Sequence, residues 1–307
     1  MRYEQLSVNE LTVCEMFNCH GQIITPGANP TGAIDYFVDG NVVASGDGLS
    51  WGAAFKSLSE AITVSNITIA QERRWARRNR IFACGDQELD EDLTVLPEKC
   101  DIIGVGTDLY PFPRIIGNHV IAAAAVGVRL INLGFNAEAN ADLFDLPAGM
   151  YGLGILGCVF TPLTAGTTKA LEIDDAAMVQ IIGNRFTVGA AGPTMFDQVI
   201  DFEGTIHHDC IVSDNIMYGT IGFGVAEAGA SCFGSVLKNN IIRATGLCVD
   251  DDSDDWAVVN NTIISDAAAD GGGDDAVIDC NLQLAAGNRV TSSDHLNAPF
   301  PIEGTLA

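Results

Sequence analysis

Val179-Gln180-Ile181-Ile182-Gly183-Asn184-Arg185-Phe186 is a short apolar strand that runs into a Gly-Asn corner, with charged and apolar residues directly behind it. Variants recur toward the C-terminus: Cys210-Ile211-Val212-Ser213-Asp214-Asn215-Ile216-Met217, Ser235-Val236-Leu237-Lys238-Asn239-Asn240-Ile241-Ile242, Ala257-Val258-Val259-Asn260-Asn261-Thr262-Ile263-Ile264 and Leu284-Ala285-Ala286-Gly287-Asn288-Arg289-Val290. Two looser copies lie upstream, around Leu133 and Cys158. With positions 133, 158, 184, 215, 240, 261 and 288 taken as equivalent, the steps are 25, 26, 31, 25, 21 and 27 residues. A strand-corner-strand unit at near-constant period marks an all-β solenoid, each coil stacked only on its neighbours. The spacing predicts that Asn184, Asn215, Asn240, Asn261 and Asn288 stack as an amide ladder. Each amide would satisfy backbone groups that the bend leaves unpaired.

Composition agrees with that architecture. Of 307 residues, 48% are hydrophobic, 33 are Gly and only 7% are aromatic, which suits tight corners around small and β-branched interior residues. Forty acidic against 15 basic residues give a net charge of −25. Such a surface repels nucleic-acid phosphates and anionic membranes, so neither is an expected partner. Cys14, Cys19, Cys84, Cys100, Cys158, Cys210, Cys232, Cys248 and Cys280 sit mostly inside apolar strand patterns, without zinc-type spacing. They read as buried reduced thiols, which suggests assembly in a reducing cytoplasm. Met1-Arg2-Tyr3-Glu4-Gln5 does not read as a signal peptide, and the longest apolar run, near 120–128, is too short to span a bilayer.

Residues 1–33 fall outside the coil period and read as an arm and linker, and residues 293–307 as a short tail. Between them, 34–80 form an opening strand, a capping helix and an Arg-rich segment, and 81–292 form the coils. In the helix, Ser50 is the expected N-cap, Trp51 and Phe55 lie one turn apart, and Phe55, Leu58, Ala61 and Ile62 form the buried stripe. Arg73, Arg74, Arg77, Arg78 and Arg80 crowd into eight positions and read as a docking patch for an acidic protein surface.

Tyr36-Phe37-Val38-Asp39-Gly40, Asp47-Gly48-Leu49-Ser50-Trp51-Gly52-Ala53-Ala54-Phe55 and the following Leu58, Ala61 and Ile62 resemble the opening segment of the right-handed parallel β-helix proteins of the pectate-lyase-like superfamily. Ile81-Phe82-Ala83-Cys84-Gly85 and Ile102-Ile103-Gly104-Val105-Gly106 resemble that family's first coil. The resemblance covers 34–292 and implies a single-stranded right-handed β-helix. It leaves activity open, because the superfamily holds lyases, hydrolases, epimerases and non-enzymatic phage spike and capsid proteins.

A column of acids precedes the corners: Glu172 and Asp174, Asp201 and Glu203, Glu227, Asp250 and Asp279. Asp174, Glu203, Glu227, Asp250 and Asp279 stand 10, 12, 13, 11 and 9 residues before their corner Asn. Coils repeat at about 4.8 Å, so acids on successive coils fall within the ~5–9.5 Å that carboxylate pairs of glycosidases need. If the chain is an enzyme, Asp174, Glu203, Glu227 and Asp250 are the catalytic candidates. The polygalacturonase elements of the resembling family are incomplete. Asp174-Asp175 stands alone, His207-His208 is flanked by Ile206 and Asp209 rather than glycines, and no Arg-Ile-Lys occurs. His207 and His208 read as turn residues, and Arg185, Arg243 and Arg289 as bases by position only. Asp250, Asp252 and Asp254 could form a loose surface calcium site, but the run lacks the Gly and distal Glu of an EF-hand. The expected cofactor set is therefore empty.

Two function classes follow. The first is a non-enzymatic virion protein, a capsid-decoration or tail-associated subunit docking on a capsid or tail protein through its N-terminal region. Phage β-helices of this kind imply a homotrimer. The second is a polysaccharide lyase or glycoside hydrolase, phage-borne or secreted.

Overall fold

A computed structural model describes residues 33–72, 77–84, 89–106, 113–139, 141–162, 168–189, 194–225, 234–246, 248–251, 256–265, 277–279, 282–285 and 289–292. The chain is a right-handed parallel β-helix of about 6 turns with one short helix. One sheet stacks 10 strands in parallel, from Asp35–Asp39 through Asn79–Cys84, Cys100–Gly104, Arg129–Ile131, Gly154–Leu156, Gln180–Ile182, Ile211–Ser213, Val236–Lys238 and Ala257–Val259 to Val277–Asp279. A second sheet of 16 strands supplies the other walls.

The interior is built of residue columns. On the first wall Tyr36, Ile81, Ile102, Leu130, Ile155, Ile181, Val212, Leu237 and Val258 stand in register, one per coil. On the second wall Phe135, Phe160 and Phe186 stack, with ring centroids 5.4 and 4.7 Å apart. Parallel in-register pairing places like on like, so the sequence period becomes a continuous core.

Each coil turns off the first wall through a residue in the left-handed region: Asn132, Gly157, Gly183, Asp214, Asn239 and Asn260, with φ between 54° and 69°. Asn and Asp tolerate that conformation better than other side chains, which is why they alternate with Gly here. The next residue turns inward. Asn184 Nδ2 donates to Asn215 Oδ1, Asn215 Nδ2 to Asn240 Oδ1 and Asn240 Nδ2 to Asn261 Oδ1, each at 3.0 Å. The same carbonyl oxygens accept the backbone N–H of Asn184, Asn215 and Asn240 at 2.8–2.9 Å. The amides also donate to Ile155 O, Ile181 O, Val212 O and Leu237 O. At the N-terminal end Cys158 takes the position: its N–H donates to Asn184 Oδ1 and its thiol to Leu130 O at 3.5 Å. Burial pushes that thiol up to about 12, so it stays a neutral donor.

Asn288 lies outside the described residues. The strands flanking it, Leu282–Ala285 and Arg289–Ser292, pair antiparallel, whereas each ladder corner joins a strand of one sheet to a strand of the other.

The N-terminal end differs from the expected helix. Ser50 is extended and makes no side-chain cap bond, and Trp51–Ala53 is a single 3₁₀ turn. Phe55 bridges Val38 as a strand residue. The helix runs Leu58–Glu72, and a carboxylate 33 residues away caps it: Glu91 accepts from Leu58 N at 2.7 Å and Ser59 N at 3.0 Å. Leu58, Ala61, Ile62 and Ile69 pack into the core against the first strands.

Candidate functional site

The third wall carries the chemistry. Its strands are Phe144–Leu146, Lys169–Ala177, Phe196–His208, Ile216–Val225 and Val249–Asp251. Leu171, Ile200 and Phe223 point inward in register, so the next residue of each strand points outward. Asp145, Glu172, Asp201 and Gly224 form that outward column, and the backbone of Asp250 is in register with Gly224. Asp174 and Glu203 pair in a second column two residues along.

Lys169 ties the two columns together. Ala170 and Leu171 are both buried, which breaks the in-out alternation and brings Lys169 to the same side as Glu172. Its ammonium lies 2.8 Å from Asp201 Oδ2 and 3.2 Å from Glu172 Oε2, and donates to Glu203 Oε1. Asp142 supports the lysine from the preceding coil by accepting from Lys169 N at 2.9 Å and from the Thr168 hydroxyl. Gly224 leaves the column without a side chain beside Asp201, and the Gln198 amide lies across that gap.

Glu172, Asp201 and Glu203 thus surround a single ammonium, with Asp142 and Asp145 beside them, and mutual repulsion favours keeping a proton in the group. Burial, then the hydrogen bond with Asp142, raises Glu172 to about 7 against the pull of Lys169. The Lys169 hydrogen bond holds Glu203 below the usual carboxylate range, outweighing its burial. Burial raises Asp201 although Lys169 opposes it, and burial followed by Asp142 raises Asp145. Burial pulls Lys169 down, but the Asp201 and Glu203 hydrogen bonds more than reverse this and keep it charged. Asp201 is only 2% exposed and its Oδ1 has no hydrogen-bond partner. The Glu203 side chain is the most open of the three touching Lys169, at 39%. A neutral carboxyl and an ionised one, side by side and partly open, are the two halves of acid-base chemistry.

Of the four carboxylates picked from sequence, this structure brings Asp174 and Glu203 together, and only Glu203 touches Lys169. Asp174 Oδ1 accepts from Asp175 N, and Asp175 Oδ1 accepts from Thr205 N and Ile206 N, so the Asp-Asp pair organises the Gly204 turn. The backbone of Asp250 is in register with the other column, and Glu227, Asp252 and Asp254 lie outside the described residues. Asp279 is removed from the column altogether, because its strand pairs with Val259 on the first wall. His207 is not a turn residue. It is fully buried, with its ring edge-on to Phe202 at 5.1 Å, and burial lowers its basicity. Among the described residues no group of three or more His, Cys, Asp or Glu has metal-binding geometry, and no helix is long and apolar enough to cross a membrane.

Where it is described, the Arg-rich segment is tied into the fold by its side chains. Arg80 forms a two-point pair with Asp35 at 2.7 Å, and Arg78 and Arg129 both hold Asp101. Arg77 is 3% exposed and donates to Asn79 Oδ1. These three guanidinium groups are committed to the fold, where they stitch the first coils together. Arg73 and Arg74 lie outside the described residues.

Lys169, Asp145 and Asp142 are site residues that sequence reasoning did not name, and Glu172 and Asp201 stood in its acid column without being chosen as catalytic candidates. The available signal was Lys169 itself, one of few cations, standing three residues before an acid on a strand. No protein-family model, curated protein or solved structure matches the chain.

Proposed function

We propose that this chain hydrolyses glycosidic bonds of a polysaccharide on its third wall, with Glu172 as general acid and Glu203 as the opposing carboxylate. The observation that carries the reading is Glu172 raised to about 7 beside a Glu203 that Lys169 keeps ionised. Both carboxyls touch one ammonium, Glu172 at 3.2 Å and Glu203 closer still, so their contacting oxygens lie within about 6 Å of each other. That is shorter than the ~6.5–9.5 Å of inverting pairs, so the retaining arrangement is the one proposed. Glu203 attacks the anomeric carbon and forms an ester while the glycosidic C–O bond breaks, and the Glu172 proton passes to the leaving oxygen. Water then gives its proton to Glu172 and its oxygen to the anomeric carbon, releasing Glu203 as carboxylate. Lys169 aims Glu203 and keeps it ionised. The opening segment and the fold support assigning the chain to the pectate-lyase-like superfamily, where glycan-cleaving members are common.

The test is purified protein on a polysaccharide panel, read for new reducing ends and for unsaturated products. Reducing ends with no unsaturated product are expected. Glu172→Gln and Glu203→Gln should each lose on the order of 10²–10⁴-fold in rate with melting preserved. Full activity in both variants, or unsaturated products, would overturn the assignment.

A virion subunit assembling side by side as a trimer is a second reading, favoured by one surface feature. Val126, Tyr151, Met178 and Ile206 are each 41–47% exposed and line one edge between the third and first walls. An apolar ridge of this kind suits lateral association. A virion-borne depolymerase would unite the two readings. A monomer by light scattering at micromolar concentration would remove the trimer.

A further inference from the structure

We infer that the glycan cut at this site carries no carboxylate at the cleavage point: the substrate is an uncharged or amine-bearing sugar chain, and uronate polymers are excluded. The inference rests on the hydrolytic reading and adds the substrate class to it. Five carboxyls cluster around one lysine here, and its ammonium is already engaged by three of them, Glu172, Asp201 and Glu203. A uronate entering the site would find Asp145 and Glu172 on adjacent strands, with Asp201 on the next, and no charge left over to receive it among the described residues of this wall.

Desolvation sharpens the exclusion. Asp201 is almost fully buried with Oδ1 unpartnered, so it presents a poorly screened acceptor rather than a hydrated charge. A buried carboxylate so placed opposes a second anion brought beside it. Eliminative cleavage of uronates is disfavoured for the same reason. That reaction must neutralise the sugar carboxylate before a C–H proton is removed, and the ammonium that could do so is occupied.

Asp145 sets the preference without touching Lys169. It sits on the strand beside Glu172, and its field acts on Glu203, Asp142 and Asp174. Removing its charge should relax the discrimination.

The experiment compares kcat/KM on galactan, chitosan and polygalacturonate for the wild-type chain, Asp145→Asn and Glu172→Gln. Wild type should favour galactan or chitosan over polygalacturonate by at least about 100-fold. Asp145→Asn should narrow that ratio by about 3- to 10-fold, and Glu172→Gln should lose on the order of 10²–10⁴-fold on every polymer that the wild type cuts. Polygalacturonate cut as well as galactan, with Glu172→Gln still impaired, would overturn the substrate class and leave the hydrolytic reading intact. An unchanged ratio in Asp145→Asn would remove Asp145 from specificity. No cleavage of any polymer across a full glycan panel would remove both the hydrolytic reading and this inference.

Discussion

Replacing Asn240 with Leu tests the energetic weight of the ladder, because the losses can be counted atom by atom. Asn240 Oδ1 accepts from Asn215 N at 2.9 Å and Asn215 Nδ2 at 3.0 Å. Its Nδ2 donates to Val212 O, Lys238 O and Asn261 Oδ1, each at 3.0 Å. Asn215 Nδ2 keeps Ile181 O, and Asn261 Oδ1 keeps Asn240 N. The group left without an alternative is the N–H of Asn215, in the interior. The loss is about 1–3 kcal/mol, and the added apolar volume offsets little of it at a site this tightly bonded. For a chain of this size that corresponds to a melting temperature lower by about 2 °C or more. Asn240→Asp sharpens the test, since it keeps the shape and the acceptor oxygen but sets a second oxygen against Val212 O. Its loss should be comparable at neutral pH and partly recovered in acid, where the carboxyl regains a proton to donate. Calorimetry reads the melting, and hydrogen exchange should show the Asn215 amide losing protection first. A Leu variant melting within about 1 °C of wild type, with Asn215 still protected, would refute the reasoning.

Three further outcomes follow from the same geometry. His119 is fully buried and lowered to about 4, chiefly by burial, while its Nδ1 accepts from Leu93 N at 3.1 Å. The unfolded chain takes up this proton first, so stability is complete above about pH 6.5 and falls as the pH drops toward 4. About 3 kcal/mol is lost across that window, and His119→Gln should flatten this part of the denaturant-midpoint profile. Hydrolysis should lose rate as pH rises through about 7, where Glu172 releases the proton it must donate, so a pH-rate profile flat from 6 to 9 would count against it. Glu91→Ala should cost about 1–2 kcal/mol by leaving the N–H groups of Leu58 and Ser59 without their acceptor, measured by urea unfolding.

The coils were legible because their signal is local and repeated. Gly183-Asn184 and Asn239-Asn240 declare a left-handed residue followed by an inward amide, and the copies reinforce one another. What depends on long-range pairing was not legible. Asp35 meets Arg80 across 45 residues and Glu91 meets Leu58 across 33, and no sequence period encodes either contact. The acid column failed in an instructive way. Counting back from each corner treats loops of unequal length as equal, and that slid Asp174 and Glu203 two positions from the Glu172–Asp201 column. Asp279 was carried onto the wrong wall by the same error. Lys169 went unnoticed because a lone lysine on a strand gives no hint of its partners until the register is known.

The ladder has a grain. From Asn184 to Asn261 every amide-to-amide bond runs the same way, from Nδ2 on one coil to Oδ1 on the next toward the C-terminus. That grain allows the stack to change length by whole coils. Excising 215–239 would deliver the Asn240 oxygen to the donors of Asn184, with chain polarity and corner chemistry unchanged.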